Sequence, residues 1–270
     1  MNTYYKNIAA QIRKDIVMMH AKANSSHIGS AFSCVDLLVA LYFDVIKTHS
    51  KNKKRVDEDK FILSKGHAVS ALYATLAQKG VFSKNLLKRY CINGTRLPGH
   101  ATRNAVKGLD VSTGSLGHGL SVGAGMALAA KHDKLKKRIF VLISDGECNE
   151  GSIWEAAMFA GHHKLDNLVV IIDYNKLQAF GRVSDVLDIE PLADKWKAFG
   201  WQVKEVDGHN IKSLTKCFNA VPFKKGRPSV VISHTIKGKG VSFMQDRLEW
   251  HYKSPNSDQL ALAMKELGIK

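Results

Sequence analysis

Arg138-Ile139-Phe140-Val141-Leu142-Ile143-Ser144-Asp145-Gly146-Glu147 and, further along, Leu168-Val169-Val170-Ile171-Ile172-Asp173-Tyr174-Asn175 are two short apolar runs, each closing on polar residues. Both are rich in Val and Ile and bounded by turn-forming side chains, the pattern of strands buried on both faces. A helical pattern from about Ser152 to His163 separates them, and a Gly- and Ala-rich helix suited to close packing, Gly119 to Lys136, precedes them. The alternation continues with a helix near Leu192 to Phe199, a strand from Trp201 to Val206, a helix near Ile211 to Ala220 and a strand from Pro228 to His234. Strand alternating with helix predicts an α/β fold, a mostly parallel central sheet with helices on both faces.

Upstream, apolar residues recur from Tyr5 through Ile8, Ile12, Ile16 and Met19 at the period of one buried helix face. Ser33 followed by Asp36 reads as a capping box opening a second helix through Val45. A strand at Lys60 to Ser64 and a helix from about His67 to Gln78 follow, and the polar, Gly-rich region Asn93 to Gly119 reads as functional loops. No repeat, low-complexity tract or linker interrupts the chain, so residues 1–270 are expected to form a single domain.

The chain has 270 residues, 45% of them hydrophobic, enough for a substantial core. Its apolar runs are far shorter than the roughly 20 residues a membrane helix needs, and the start lacks a signal-peptide pattern, so a cytoplasmic protein is expected. Cys34, Cys91, Cys148 and Cys217 show no metal-ligand spacing. With 40 Lys and Arg against 24 Asp and Glu, the net charge of +16 suits phosphorylated substrates and also raises nucleic-acid binding. The densest basic stretch, Lys51 to Lys60, interleaves Asp57, Glu58 and Asp59 and has no aromatic side chains for base stacking, so it reads as a solvated loop.

Parallel sheets bind ligands at the carboxyl ends of their strands. Asp145 and Asn175 both fall at such exposed ends, and on strands about 4.8 Å apart they could reach one ion. Magnesium takes oxygen ligands and often shares them with phosphates. Gly146 would admit a phosphate close to the backbone, next to amides at the start of a helix. Asp-Gly after a strand is, taken alone, an ordinary turn.

Ser144-Asp145-Gly146-Glu147, followed thirty residues after Asp145 by Asn175, resembles the thiamine-diphosphate fingerprint of the transketolase family. Leu63-Ser64-Lys65-Gly66-His67-Ala68, Pro98-Gly99-His100, Ser112-Thr113-Gly114-Ser115-Leu116-Gly117-His118-Gly119, Glu150-Gly151 with Glu155, and Asp207-Gly208-His209 are similar to other segments of that family, in its order. The resemblance runs from about Ala21 to His251.

It implies a thiamine-diphosphate-binding fold in which Asp145, Asn175 and the carbonyl of Leu177 ligate magnesium or calcium. Gly146 and Glu147 would belong to the cofactor-binding set, with Asn175, and Gly114, Ser115 and Leu116 would line the cofactor on its other side. His67 and His251 would contact diphosphate or substrate, and His27 and His100 would hydrogen-bond a sugar's hydroxyl and carbonyl groups. The four would form the catalytic set, since imidazoles titrate near the working pH. Glu150 and Glu155 resemble glutamates near a subunit interface, with a solvated helix start as the other reading for Glu150. Ser25-Ser26-His27-Ile28-Gly29 lacks the proline usual after this histidine, Ser144 stands where a glycine is usual, and His118 replaces a common glutamine.

The resemblance also implies what is missing: the pyrimidine-binding and C-terminal domains, with their cofactor-activating glutamate. The expectation is therefore the N-terminal subunit of a split transketolase, ending in a short helix within Lys253 to Lys270. It would be completed by a C-terminal partner chain in a two-plus-two assembly. The expected reaction moves a two-carbon ketol unit from a ketose phosphate, xylulose 5-phosphate, to an aldose phosphate in the pentose phosphate pathway. A related thiamine-diphosphate enzyme acting on another ketose or oxo acid, and a non-catalytic RNA-binding relative, are the alternatives.

Overall fold

The computed structural model describes residues 2–46 and 57–268. Residues 51–56 of the basic stretch therefore lie outside the described residues. The chain opens with helix α1 (Asn2–Ala23), which buries Ile8, Ile12, Ile16 and Met19 as their spacing predicts.

The segment read as one capped helix from Ser33 is built differently. It consists of α2 (Ile28–Ser33), α3 (Val35–Ala40) and a π-helical turn, Leu41–Val45. Ser33 does not cap: its hydroxyl donates to Asp173 Oδ2 at 2.6 Å and lies 3.0 Å from Ser30 O. Asp36 instead meets Arg13 at 2.7 Å. Tertiary partners have taken both side chains away from the local motif.

Strand β1 (Lys60–Leu63) leads through a 3-10 turn into α4 (Val69–Gln78), and a long loop region then reaches α5 (His118–His132). Next come β2 (Ile139–Ser144), α6 (Gly151–His162) and β3 (Leu168–Tyr174). The rest is α7 (Val183–Val186), which the sequence pattern does not predict, then α8 (Leu192–Ala198), β4 (Gln202–Asp207), α9 (Ile211–Asn219), β5 (Ser229–His234) and α10 (Ser257–Glu266).

All five strands are parallel, in the order β1-β2-β3-β5-β4. Alternating residues of each strand go to opposite faces. Phe140, Leu142, Val169, Ile171 and Val231 pack with residues of α1 to α4 and α9; Val141, Ile143, Val170, Ile172 and Ile232 pack with α5, α6 and α8. Interior strand β2 is buried throughout, whereas edge strand β4 has no fully buried residue. Gly123 lets α5 approach the sheet, because a Cβ there would lie 2.5 Å from Val141 Cγ2. Every strand end therefore points its following loop at one rim of the sheet, and the loops after β1, β2, β3 and β5 meet there.

Beneath that rim lies a buried ion pair between Lys65, just past β1, and Asp173 in β3; both side chains are fully enclosed. Ser33 Oγ, Thr235 Oγ1 and Asn175 Nδ2 also donate to the Asp173 carboxylate, and Lys65 Nζ donates to Ser30 O at 3.0 Å. Burial opposes both charges, yet their attraction and these hydrogen bonds prevail: the Lys65 pKa is held above, and that of Asp173 below, its ordinary value. Removing one partner of such a pair leaves the other charged in an apolar interior, at a cost of about 3–5 kcal/mol. Lys65→Met is accordingly expected to lower the unfolding free energy by about that amount, read from urea denaturation, and a loss below about 1 kcal/mol would mean the pair is effectively solvated.

Candidate functional site

At the rim, β2 runs out into Asp145, which caps the short 3-10 turn Gly146–Asn149. Asp145 Oδ1 accepts from Gly146 N at 2.8 Å and Oδ2 accepts from Lys176 N. Across from it, Asn175 donates through Nδ2 to Asp173 Oδ2 at 3.3 Å, and its Oδ1 accepts from Leu177 N at 3.1 Å. Neighbouring strand ends thus bring Asp145, Asn175 and Leu177 to one cleft of about 320 Å³. The expected exposure of Asp145 and Asn175 is corrected: they are 1% and 5% accessible, because loops from four strands close over the sheet edge.

This burial has an electrostatic consequence. The Asp145 carboxyl is pushed up to about 7, first by burial and then by the neighbouring Asp173 charge, with the Lys176 and Gly146 amides offsetting only part of it. A hard cation would relieve that repulsion. One carboxylate, one amide oxygen and one backbone carbonyl form the kind of donor set that magnesium or calcium takes. Among the described residues, no cluster of three or more His, Cys, Asp or Glu side chains offers another metal site.

Four histidines from separate loops share the same cleft. His27 sits 5.2 Å from His67, 5.9 Å from His100 and 4.9 Å from His251, ring centre to ring centre. His27 has φ 76°, a left-handed conformation unusual outside glycine. Its amide is tied to His251 O at 2.8 Å, which joins the two loops. Burial pushes His27 down to about 4, helped by His100 and Lys237, and pushes His251 down to about 3, helped by Lys237. Burial and Lys65 also hold His67 well below its ordinary value. These three rings are therefore neutral near pH 7.

Gly114, Leu116 and Gly146 line the cleft. Gly114 has φ +157° and a Cβ on it would stand 3.0 Å from His100 Cδ2, while one on Gly146 would stand 2.9 Å from Gln178 Cβ. Both close approaches require glycine. Ser115 is exposed beside Gly114 and is not among the lining residues.

Glu147 presents no side chain to the cleft. Its carboxylate is enclosed and accepts from Ser64 Oγ, from Gly117 N at 2.8 Å and from Ser144 N at 3.2 Å. It fastens three loops that build the cleft wall and does not face the cleft. Glu150 lines the rim, and Glu155 lies on the exposed face of α6. His118 turns away from the cleft, its Nδ1 on Leu116 O at 3.0 Å.

Two lysines, one lining the cleft and one buried behind its wall, are not singled out by the sequence pattern. Lys65 lines the cleft from below. Lys237 is 1% accessible, and its Nζ donates to Leu177 O at 3.0 Å and lies 2.8 Å from His251 Nδ1. Burial, with the Lys65 charge, pushes Lys237 down to about 8. Among 40 basic residues nothing local marks these two. The signal available was their place in Ser64-Lys65-Gly66-His67 and Thr235-Ile236-Lys237-Gly238, segments pinned between strand end and glycine.

A family model described as "Transketolase, thiamine diphosphate binding domain" matches residues 5–270. The chain is 45% identical over 256 residues to one subunit of the apulose-4-phosphate transketolase of Phocaeicola vulgatus, covering 95% of this chain and 91% of that one. It is 42% identical to a Clostridium 6-deoxy-6-sulfo-D-fructose transketolase subunit, with 95% and 93% covered. The solved transketolase of Leishmania mexicana superposes with a TM-score of 0.90 at 28% identity over 98% of this chain. The chain spans only 41% of the length of that transketolase chain. Sequence and fold agree: the chain belongs to the transketolase family and carries its thiamine-diphosphate-binding domain.

Proposed function

We propose that this chain is the cofactor-holding subunit of a two-chain transketolase that moves a two-carbon ketol unit between sugars bearing anionic groups. The observation that carries the reading is the convergence of Asp145, Asn175, Leu177 and four histidines on one cleft. The near-complete length match to relatives named as subunits supports a separate partner. That partner would supply the pyrimidine-binding half, in a two-plus-two assembly.

Asp145, Asn175 and Leu177 O would hold magnesium or calcium, and the metal would hold the diphosphate against Gly146. Gly114 and Leu116 would form the opposite wall. When bound, thiamine diphosphate supplies a nucleophilic carbon and an electron sink. The chain's own groups bind and move protons. His27 and His100 would hydrogen-bond the donor's hydroxyl and carbonyl, and a neutral His27 nitrogen can take a hydroxyl proton. His67 and His251 would contact the diphosphate or the donor, and the Lys65 and Lys237 charges favour an anion in the cleft.

The relatives named for apulose 4-phosphate and for 6-deoxy-6-sulfofructose widen the choice of donor. A ketose with a phosphate or sulfonate end group suits the +16 chain, and xylulose 5-phosphate is one member of that class. The test mixes the purified chain with its partner subunit, thiamine diphosphate and magnesium, and offers these three donors with an aldose phosphate acceptor. Ketol transfer from at least one donor, only in the mixture, is expected; no transfer from any would defeat the reading.

Two predictions address the site. Asp145→Asn is expected to weaken magnesium-dependent thiamine diphosphate binding by more than the about 10- to 100-fold typical of outer-shell partners, measured calorimetrically. It should leave the unfolding midpoint unchanged or raised, because it removes a carboxylate already disfavoured by burial. Unaltered affinity would remove Asp145 from the metal set. In the free chain, nitrogen NMR should find His27 and His251 neutral at pH 6 and protonating only near pH 4 and 3. Midpoints near 6.5 would show an open, solvated cleft.

A further inference from the structure

One chain of hydrogen bonds enters the cleft from outside it, beginning on α1. Arg13 donates to Asp36 of α3 through Nη1 at 3.2 Å and Nη2 at 2.7 Å. Asp36 Oδ2 lies 2.7 Å from Nδ1 of His209, in the turn between β4 and α9. His209 Nε2 in turn lies 2.9 Å from the backbone N–H of Ile236. The next residue is Lys237, whose ammonium meets Leu177 O and His251 Nδ1.

The donor and acceptor roles are fixed by chemistry. A backbone N–H can only donate, so Nε2 must be unprotonated, and the ring proton must sit on Nδ1, facing Asp36. Asp36 is nearly enclosed and, although burial opposes its charge, Arg13 and His209 hold its pKa down to about 2. It is therefore a permanent acceptor that selects this tautomer. The turn is pressed against the exit of β5: a Cβ on Gly208 would lie 2.4 Å from Thr235 Cγ2 and 2.9 Å from His234 O. Beyond it, Gly238 N donates to Gly29 O at 3.0 Å, beside the loop carrying His27. Ile236 N is thus one tether of the segment under the cleft, alongside Gly238 N on Gly29 O and Lys237 O, which accepts from Asp246 N at 2.9 Å.

We infer that His209 is a positioning residue: oriented by Asp36, it sets the height of the 236–238 backbone and thereby places the Lys237 ammonium against Leu177 and His251. The effect on cofactor binding rests on the function proposed above, while the effect on His251 belongs to the free chain and does not. A ring nitrogen with a fixed tautomer suits this task because it accepts one hydrogen bond in one direction and leaves the other end anchored to a charge. His209 has no hydrogen bond to the proposed metal set or to the four clustered histidines, so its effect on them passes through the 236–238 backbone that carries Lys237.

Two polar substitutions separate its ends. In His209→Gln the side-chain oxygen can reach Ile236 N, as Nε2 does; in His209→Asn the shorter amide can still meet Asp36 but cannot reach Ile236 N. Each variant is studied as the free chain and in the assembly with its partner. One readout is the nitrogen shift of His251 Nδ1 at fixed pH, which reports its contact with Lys237. The other is the affinity of the assembly for thiamine diphosphate with magnesium, alongside the unfolding midpoint. The Asn variant is expected to move the His251 signal and to bind cofactor about 10- to 100-fold more weakly, with the Gln variant close to the parent in both. Identical behaviour of the two variants would overturn the inference. So would an Asn variant altered only in its unfolding midpoint, which is what a merely structural histidine would give. If the unsubstituted assembly binds no cofactor, the proposed function fails, and the His251 signal in the free chain still decides the positioning role.

Discussion

The Lys65–Asp173 ion pair, enclosed beneath the strand ends, is the interaction on which the rest of the site depends. A charge pair in an apolar interior is tolerated only when each remaining polar valence is met. Here Ser33, Thr235 and Asn175 all donate to Asp173. Those donors come from α2, from the segment after β5 and from the loop after β3, and Lys65 comes from the loop after β1. One carboxylate therefore fixes the relative positions of loops that are far apart in the chain. It also orients Asn175, because donating through Nδ2 to Asp173 leaves the amide oxygen on the other side.

Electrostatics in the cleft follow from that arrangement. Burial first, and then the charge of Asp173, which Lys65 keeps ionised, raise the Asp145 pKa towards neutrality. The cations Lys65 and Lys237, lying among the histidines, lower the pKa of His67 and His251 further than burial alone. The result is a cleft in which His27, His67 and His251 are neutral, two buried cations adjoin them, and the Asp145 carboxyl has a poor share of positive charge. An anionic ligand accompanied by a divalent cation would match this balance, the cation meeting the carboxylate and the anion the lysines.

Much of the fold could be read from local pattern. The β2 and β3 runs are so uniformly apolar that only a doubly covered strand accounts for them, and the observed β2 is buried along its whole length. The misread elements have a common cause. Ser33 and Asp36 look like a capping box in sequence, yet Asp173, Arg13 and His209 claim them, and a spacing rule cannot see partners brought in by the fold. The same limit applied to Glu147, whose motif neighbours face the cleft while its own carboxylate turns inward to Gly117 and Ser144.

By itself the sequence determined the alternation of strands and helices, the parallel sheet, and the placement of Asp145 and Asn175 at strand ends, while the pairing of those two strands came from the sheet topology. The former are properties of periodicity and of residues close along the chain. Tertiary structure alone decided which lysines among 40 basic residues lie in or against the cleft wall, that Asp145 and Asn175 are enclosed, and that the rings of His67, His100 and His251 gather within about 6 Å of His27. It also decided the tautomer of His209, through Asp36 on one side and Ile236 on the other. Burial and charge proximity are set by loops that meet only after the sheet has formed, so no window of sequence contains them.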